Sequence, residues 1–147
     1  MSKYASILDG RVFESASPVH VTRELIADFC AAVGETNPLY TDPEAAKAGP
    51  HGGLVAPPSL AAIFGDGESI FRNYPEFDTR RLLAGIDAEF LEPIRAGDWI
   101  TTVSRVKEIY EKTGRSGPMV FVVISSVLRR QTGEIAVRID QRFTNPR

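Results

Sequence analysis

A single α+β domain over residues 1–147 is the fold that the sequence predicts. Of the 147 residues, 43% are hydrophobic and 24% are charged, which is typical of one globular domain. Apolar residues recur at helical spacing in the first half of the chain and alternate with polar residues from Leu82 onward. Short turns separate the alternating segments, and short connections join antiparallel strands. We therefore expect helices followed by a long antiparallel sheet that wraps one of them.

Two amphipathic helices are predicted before residue 50. Thr22 stands where an N-cap belongs, five apolar residues follow at helical spacing, and Gly34 ends the run. A capping-box spacing that begins at Thr41, with a proline in the first turn, predicts a short second helix to about Ala48.

A buried helix is predicted over residues 58–71, after a loop that contains His51. Apolar residues occur nearly all round this segment, a pattern typical of a helix inside the core. Gly65 and Gly67 each cost about 1 kcal/mol relative to alanine inside a helix, so we expect a kink or a break there.

Four long strands are predicted in the second half, as a four-stranded antiparallel meander. Their segments are residues 82–90, 99–110, 119–128 and 135–143. An open sheet has two edges, and a long exposed edge strand pairs readily with another chain. We therefore expect a dimer in which the sheet continues across the interface.

Charge and composition argue against several classes of partner. Seventeen basic and nineteen acidic residues leave a net charge of -2, which gives no electrostatic reason to expect nucleic acid. The longest apolar run is far shorter than the roughly 20 residues that cross a bilayer, so no membrane segment is expected. Two histidines and one cysteine without ligand spacing predict no metal site. The lone Cys30 faces the apolar side of its helix and fits a reducing, cytoplasmic compartment.

Three stretches of the chain carry a resemblance to a known family: residues 29–40, 54–60 and 89–98. Their most specific parts are the Asn37-Pro38 pair and the pattern Phe-x-x-Pro-x-x-x-Gly-Asp that ends at Asp98. Together they resemble the MaoC-like hot-dog hydratases and dehydratases, and within them a degenerate FAS1-type N-terminal-like member. The resemblance implies a hot-dog fold that acts on acyl thioesters of coenzyme A or of acyl carrier protein, without a cofactor.

The resemblance also implies a catalytic loop, and this chain departs from it. In the family, an Asp-x-Asn-Pro-x-His loop supplies the base and the acid. Here Glu35 stands in the place of the aspartate and Tyr40 in that of the histidine, while Asn37 is retained. A phenol, with an ordinary pKa of about 10, is a poor base at neutral pH. Pro58 replaces a glycine whose amide would meet the thioester oxygen, so Ser59 is the nearest replacement donor.

Each candidate residue also has a structural interpretation. Glu35 follows a helix end, where a solvated loop carboxylate is common, and Tyr40 fits simple packing against the core. His51 is flanked by loop residues and is a candidate base or substrate contact, although solvated loop histidines are more common. His20 lies in a predicted strand and is assigned a structural role. The pairs at 80–81 and 129–130 are arginines that face either solvent or the phosphates of coenzyme A.

Three functions follow from these residues. In the first, the chain is the substrate-binding, catalytically degenerate half of a heteromeric (R)-specific enoyl-CoA hydratase or 3-hydroxyacyl dehydratase, paired with a catalytic hot-dog chain. In the second, it is a self-sufficient homodimeric hydratase that uses Glu35 with Tyr40 or His51. In the third, it is a non-catalytic acyl-thioester binding protein or a hot-dog thioesterase. The first is preferred because Glu35, Tyr40 and Pro58 all depart from the family pattern.

Overall fold

The first predicted helix is confirmed together with both of its ends. The computed structural model describes residues 8, 10–15, 17–65, 67–74 and 80–145. Helix α1 spans Arg23–Val33, and the Thr22 hydroxyl accepts a hydrogen bond from the Leu25 N–H at 3.0 Å. Gly34 follows with φ 72°, the left-handed conformation that favours glycine at a helix C-terminus.

Two short helices follow where one was predicted. Helix α2 spans Pro38–Thr41 and helix α3 spans Pro43–Lys47. The predicted start at Thr41 is wrong, because the cap of α3 is Asp42, whose carboxylate accepts the N–H groups of Glu44 and Ala45. Helix α2 was not predicted, and each of the two helices has a proline in its first turn.

The predicted buried helix is divided at Gly65. A 3₁₀ helix spans Pro58–Phe64, and helix α4 spans Gly67–Asn73. Gly65 adopts an extended conformation, and a Cβ there would overlap the Gln141 side-chain oxygen. The same glutamine donates from its Nε2 to the Ala62 carbonyl at 3.1 Å. The expected break is therefore confirmed, and a Cβ at this position would require the buried Gln141 side chain to shift.

All four predicted long strands are present, and two short strands join them. The strands are β1 (Val12–Glu14), β2 (Val19–His20), β3 (Leu82–Phe90), β4 (Trp99–Gly114), β5 (Gly117–Arg129) and β6 (Ile135–Asn145). Their order in the sheet is β1-β4-β5-β6-β3, with β2 also paired to β4, and every pairing is antiparallel. The predicted α+β class is confirmed.

The predicted four-stranded meander is wrong for its first strand. Strands β4, β5 and β6 are consecutive neighbours. Strand β3 pairs with β6 at one edge of the sheet, so β5 and β6 lie between β3 and β4. The reason is that residues 91–98 form a long crossing connection with hydrogen bonds of its own. Leu91 donates to the Ala136 carbonyl, Ala56 donates to the Ile94 carbonyl, and Gly97 donates to the Val21 carbonyl. These long-range hydrogen bonds lead the chain from edge strand β3 to β4, which lies inside the sheet between β1 and β5.

The core lies between the inner face of the sheet and the helices. Fully buried side chains from α1, the 3₁₀ helix and three strands meet there: Ile26, Leu60, Ile100, Leu128 and Ile139. Cys30 belongs to the same cluster, which confirms its predicted place in the core. Among the described residues, no helix is long and apolar enough to cross a membrane.

Edge strand β3 exposes several large apolar side chains. Leu83 is 49% exposed, Ile86 43% and Phe90 50%. Ile86 and Phe90 stand opposite buried residues of β6, so they belong to the inner face of the sheet and are still open to solvent. Such an edge matches the sequence-based expectation of a partner chain, and the dimer itself stays a prediction.

Candidate active site

A largely apolar cavity of about 250 Å³ lies beside the core cluster. Its walls come from the segment that follows the glycine loop (residues 49–53), from the crossing connection and from the ends of β3 and β6. The apolar lining residues are Val55, Ala56, Pro57, Pro58, Phe90, Leu91, Pro93, Ile94 and Val137. The polar lining residues are Tyr40, His51 and Glu92. The cavity therefore combines a surface for an acyl chain with a phenol, an imidazole and a carboxylate.

Tyr40 joins this cavity to the core. It is half-buried on α2 and packs against the main core cluster. Its carbonyl oxygen accepts a hydrogen bond from the Cys30 thiol at 4.0 Å. Burial, and then the negative charge of Glu35, raise the pKa of the Cys30 thiol, so this group stays protonated and serves as a donor inside the protein.

Glu35 and Asn37 bind the backbone of their own loop. One Glu35 carboxylate oxygen accepts the N–H groups of Thr36 and Asn37, each at 3.0 Å. The Asn37 side-chain oxygen caps α2 by accepting the Leu39 N–H at 3.0 Å. Glu35 is half-buried and Asn37 is exposed, and neither is among the residues that line the cavity. Their predicted catalytic roles remain predictions beside these structural ones.

His51 lies in the loop that opens the cavity wall. It is half-buried and lines the cavity, and its carbonyl accepts a hydrogen bond from the Arg95 guanidinium. Gly52 follows with φ 66°, which lets the chain turn back toward the core. The arginine thus ties the backbone of this loop to the crossing connection.

Pro58 and Ser59 begin the 3₁₀ helix at the cavity rim. Pro58 lines the cavity and, as proline, offers no N–H to a ligand. Ser59 is exposed and is not among the lining residues. The structure therefore brings together three of the six predicted site residues, namely Tyr40, His51 and Pro58. Glu92 was not predicted, although it lies inside the Phe-x-x-Pro motif that carries the resemblance.

A buried ion pair holds the loops at the end of the sheet nearest α1. Asp98 is 3% exposed and accepts hydrogen bonds from the Arg95 N–H, from Nε and Nη2 of Arg130, and from Gln131. Burial acts to raise the pKa of Asp98, but these hydrogen bonds and the Arg130 charge outweigh it, so the pKa is lowered. Because Arg95 also binds the His51 loop, this pair supports the cavity wall. The Gly-Asp end of the motif was the sequence signal for it.

Within the described part of the chain, no three histidine, cysteine or acidic side chains are grouped as metal ligands. The polar side chains at the cavity are those of Tyr40, His51 and Glu92. They can hold an acyl group, donate or accept protons at the phenol and the imidazole, and place one carboxylate at the rim.

Residues 8–139 match the family described as FAS1-like, dehydratase domain region. The chain belongs to this family. A UPF0336 protein of Streptomyces avermitilis is 38% identical over 111 residues, which cover 71% of this chain and 73% of the relative. The MaoC-like family resemblance inferred from the sequence is thereby confirmed.

Solved structures confirm the hot-dog fold. The truncated HadBC (3R-hydroxyacyl-ACP dehydratase) complex of Mycobacterium tuberculosis gives a TM-score of 0.77 at 20% identity, over 92% of this chain and 96% of that chain. The MaoC-like dehydratase of Rhodospirillum rubrum gives 0.68 at 26% identity, over 94% of each chain. Both of these neighbours are described as dehydratases, and the first of them as a complex.

Proposed function

We propose that this chain is the substrate-binding half of a heteromeric (R)-specific enoyl-thioester hydratase or 3-hydroxyacyl-thioester dehydratase. A hot-dog partner chain with an intact Asp-x-Asn-Pro-x-His loop supplies the base and the acid. One observation carries the proposal. The carboxylate in the aspartate's place, Glu35, binds the N–H groups of its own loop and does not line the apolar cavity.

The reaction makes demands that this chain meets only in part. Hydration of an enoyl thioester needs a base that activates water, an acid that protonates the neighbouring carbon, and donors that stabilise the enolate. Pro58 lines the cavity without an amide N–H, so the enolate donor expected from the family is missing at this position. The apolar walls, by contrast, suit the acyl tail of a thioester. We assign binding to this chain and proton transfer to its partner.

The apolar edge strand supports a partner of the same fold. The exposed side chains of Ile86 and Phe90 belong to the inner face of β3, and no described strand pairs with β3 on the side away from β6. A second hot-dog chain that pairs along β3 would extend the sheet and cover these side chains. Burial of about 100 Å² of apolar surface on such pairing contributes about 2.5 kcal/mol.

Two assays on one sample test the proposal. Hydration removes the absorbance of an enoyl thioester without releasing thiol, whereas a thioesterase releases thiol. We expect the purified chain to do neither and to bind the thioester. Hydration should appear when a catalytic hot-dog partner is added. Rapid hydration by the chain alone would contradict the division of labour, and thiol release would favour a thioesterase.

A self-sufficient hydratase is the second candidate, because His51 and Glu92 place an imidazole and a carboxylate in one cavity. Loss of one general acid or base typically lowers the rate 10²–10⁴-fold. If the isolated chain is active, His51→Gln and Glu92→Gln should each cause such a loss, and Glu35→Gln tests the pair predicted from the sequence. In the heteromeric enzyme, we expect the three variants to retain the rate within about tenfold.

A further inference from the structure

A second groove, lined in part by charged side chains, lies next to the candidate active site. It encloses about 490 Å³ between the start of α1, the glycine loop and the turn at the end of the crossing connection. Its charged and aromatic lining residues are His20, Arg23, Glu24 and Arg95. Nothing in the proposed acyl-binding cavity uses Arg23, Glu24 or His20.

The groove carries a net positive charge from guanidinium groups that are available to a ligand. Within the described residues, Arg23 is exposed and forms no salt bridge or side-chain hydrogen bond. Arg95 is half-buried and donates from Nη1 to the His51 carbonyl, which leaves its other N–H groups for a ligand. Glu24 offsets one of the two positive charges. Guanidinium groups bind phosphate by paired, charge-assisted hydrogen bonds.

The arginines of the other two candidate phosphate sites are engaged elsewhere. Arg130 binds the carboxylates of Asp98 and Glu134. Arg129 donates to the Gly133 carbonyl, and Arg81 lies over the Phe71 ring. In the part of the chain that the structure describes, Arg23 has no hydrogen bond or ion pair, whereas Arg95 and Arg129 each donate to one backbone carbonyl.

The groove and the cavity share two walls. His51 lines the cavity, and the next residues, Gly52 and Gly53, line the groove. Ile94 lines the cavity, and the next residue, Arg95, lines the groove. Consecutive Cα atoms are about 3.8 Å apart, so the cavity and the groove lie against neighbouring residues of the same two segments.

We propose that this groove binds phosphate groups of the carrier to which the acyl thioester is attached, through Arg23 and Arg95. The inference rests on the proposed function, because it places the thioester in the adjoining cavity. The phosphates are those of coenzyme A or the single phosphate of a 4′-phosphopantetheine arm. An adenine ring would find an aromatic surface beside the groove, where His20 stacks on the exposed Trp99 with ring centroids 4.3 Å apart.

Trp99 gives this proposal a direct readout, because it is the one tryptophan of the chain. The full-length protein is titrated with coenzyme A, 3′-dephospho-coenzyme A, 4′-phosphopantetheine and pantetheine, and calorimetry is run in parallel with Trp99 fluorescence. We expect affinity to fall in that order as phosphates are removed. Coenzyme A affinity should also weaken as salt is added, because the groove is open to solvent.

Two variants that remove charges of opposite sign from the groove should change coenzyme A binding in opposite directions. Arg23→Gln should weaken binding of coenzyme A at least about tenfold, as expected for the loss of a charge-assisted hydrogen bond, and should leave pantetheine binding unchanged. Glu24→Gln should tighten coenzyme A binding, since it removes the opposing charge. Arg105→Gln is the matched control, because this exposed arginine lies on β4 six residues from Trp99, roughly 20 Å along the strand.

The outcomes separate the two sources of phosphate and the two proposals. An equal loss for coenzyme A and 4′-phosphopantetheine in Arg23→Gln assigns the groove to the phosphate that both carry. A loss for coenzyme A alone assigns it to the nucleotide phosphates. If Arg23→Gln and Arg105→Gln bind coenzyme A alike, the groove proposal is overturned while the cavity proposal stands. If an acyl-pantetheine thioester also fails to bind the wild-type chain, the proposed function is overturned as well.

Discussion

The Asp98–Arg130 pair offers the most quantitative prediction. The Asp98 carboxylate accepts four hydrogen bonds, and the substitution Asp98→Asn removes its negative charge. The Arg130 guanidinium, which is only 14% exposed, then lacks its main partner. Loss of one member of a buried pair costs about 3–5 kcal/mol, and the lower end applies because Arg130 keeps Glu134. We expect a loss of about 3 kcal/mol in unfolding free energy, or about 6–12 °C in Tm for a chain of this size.

Urea unfolding at one fixed protein concentration measures this change. The matched control is Lys107→Gln, which breaks the exposed Lys107–Asp140 pair and should cost less than about 1 kcal/mol. In a double-mutant cycle, Asp98→Asn and Arg130→Gln should be strongly non-additive. A cost for Asp98→Asn no larger than that of the control would refute the assignment of Asp98 as the buried support of the cavity wall.

The Asp98 carboxylate should also make the unfolding free energy depend on pH, in a direction that its lowered pKa determines. The folded-state pKa of Asp98 is lowered, because the hydrogen bonds and the Arg130 charge outweigh the effect of burial. Its stabilisation is therefore fully present above the unfolded-state pKa of about 3.9 and is lost as the pH falls through the lower folded-state value. The Asp98→Asn variant lacks this pH-dependent stabilisation, so its unfolding free energy should fall less steeply below pH 4 than that of the wild type. Equal slopes would contradict the lowered pKa.

Three further predictions concern packing, reactivity and assembly. Gly65→Ala should cost about 1–3 kcal/mol in urea unfolding, because its Cβ meets Gln141, whereas Gly53→Ala has open space and should change stability by less than about 0.5 kcal/mol. The buried Cys30 thiol, with its raised pKa, should react with a thiol reagent far more slowly in the folded than in the urea-unfolded protein. Ile86→Lys on the exposed edge should shift sedimentation toward a 16.1 kDa monomer. Unchanged sedimentation would remove β3 from the interface.

Local sequence signals predicted the parts of the fold that depend on local chemistry. Thr22 and Gly34 defined α1, because a cap and a left-handed glycine act within one helical turn. The alternation after Leu82 predicted the long strands, since period two follows from strand geometry alone. Gly65 was recognised as a break, although its reason, the approach of Gln141, is a contact across 76 residues of chain.

Long-range contacts determined the parts that the sequence did not predict. The pairing of β3 with β6 depends on the crossing connection, whose partners such as Ala136 and Val21 are distant in the chain. At the site, the Asn-Pro motif indicated where the loop lies but not that Glu35 binds its own backbone. Glu92 was missed because one carboxylate in a loop has no distinguishing local pattern. Only the folded chain places it in a cavity with His51.

The most direct measurement for the central claim is enoyl-thioester hydration before and after a partner chain is bound. The chain is purified from its native host together with whatever co-purifies, and native mass spectrometry identifies the complex. The account predicts that a hot-dog chain with an intact Asp and His loop is recovered, that the complex hydrates the thioester, and that this chain alone does not. Full activity of the isolated chain, undiminished when the partner is removed, would contradict it.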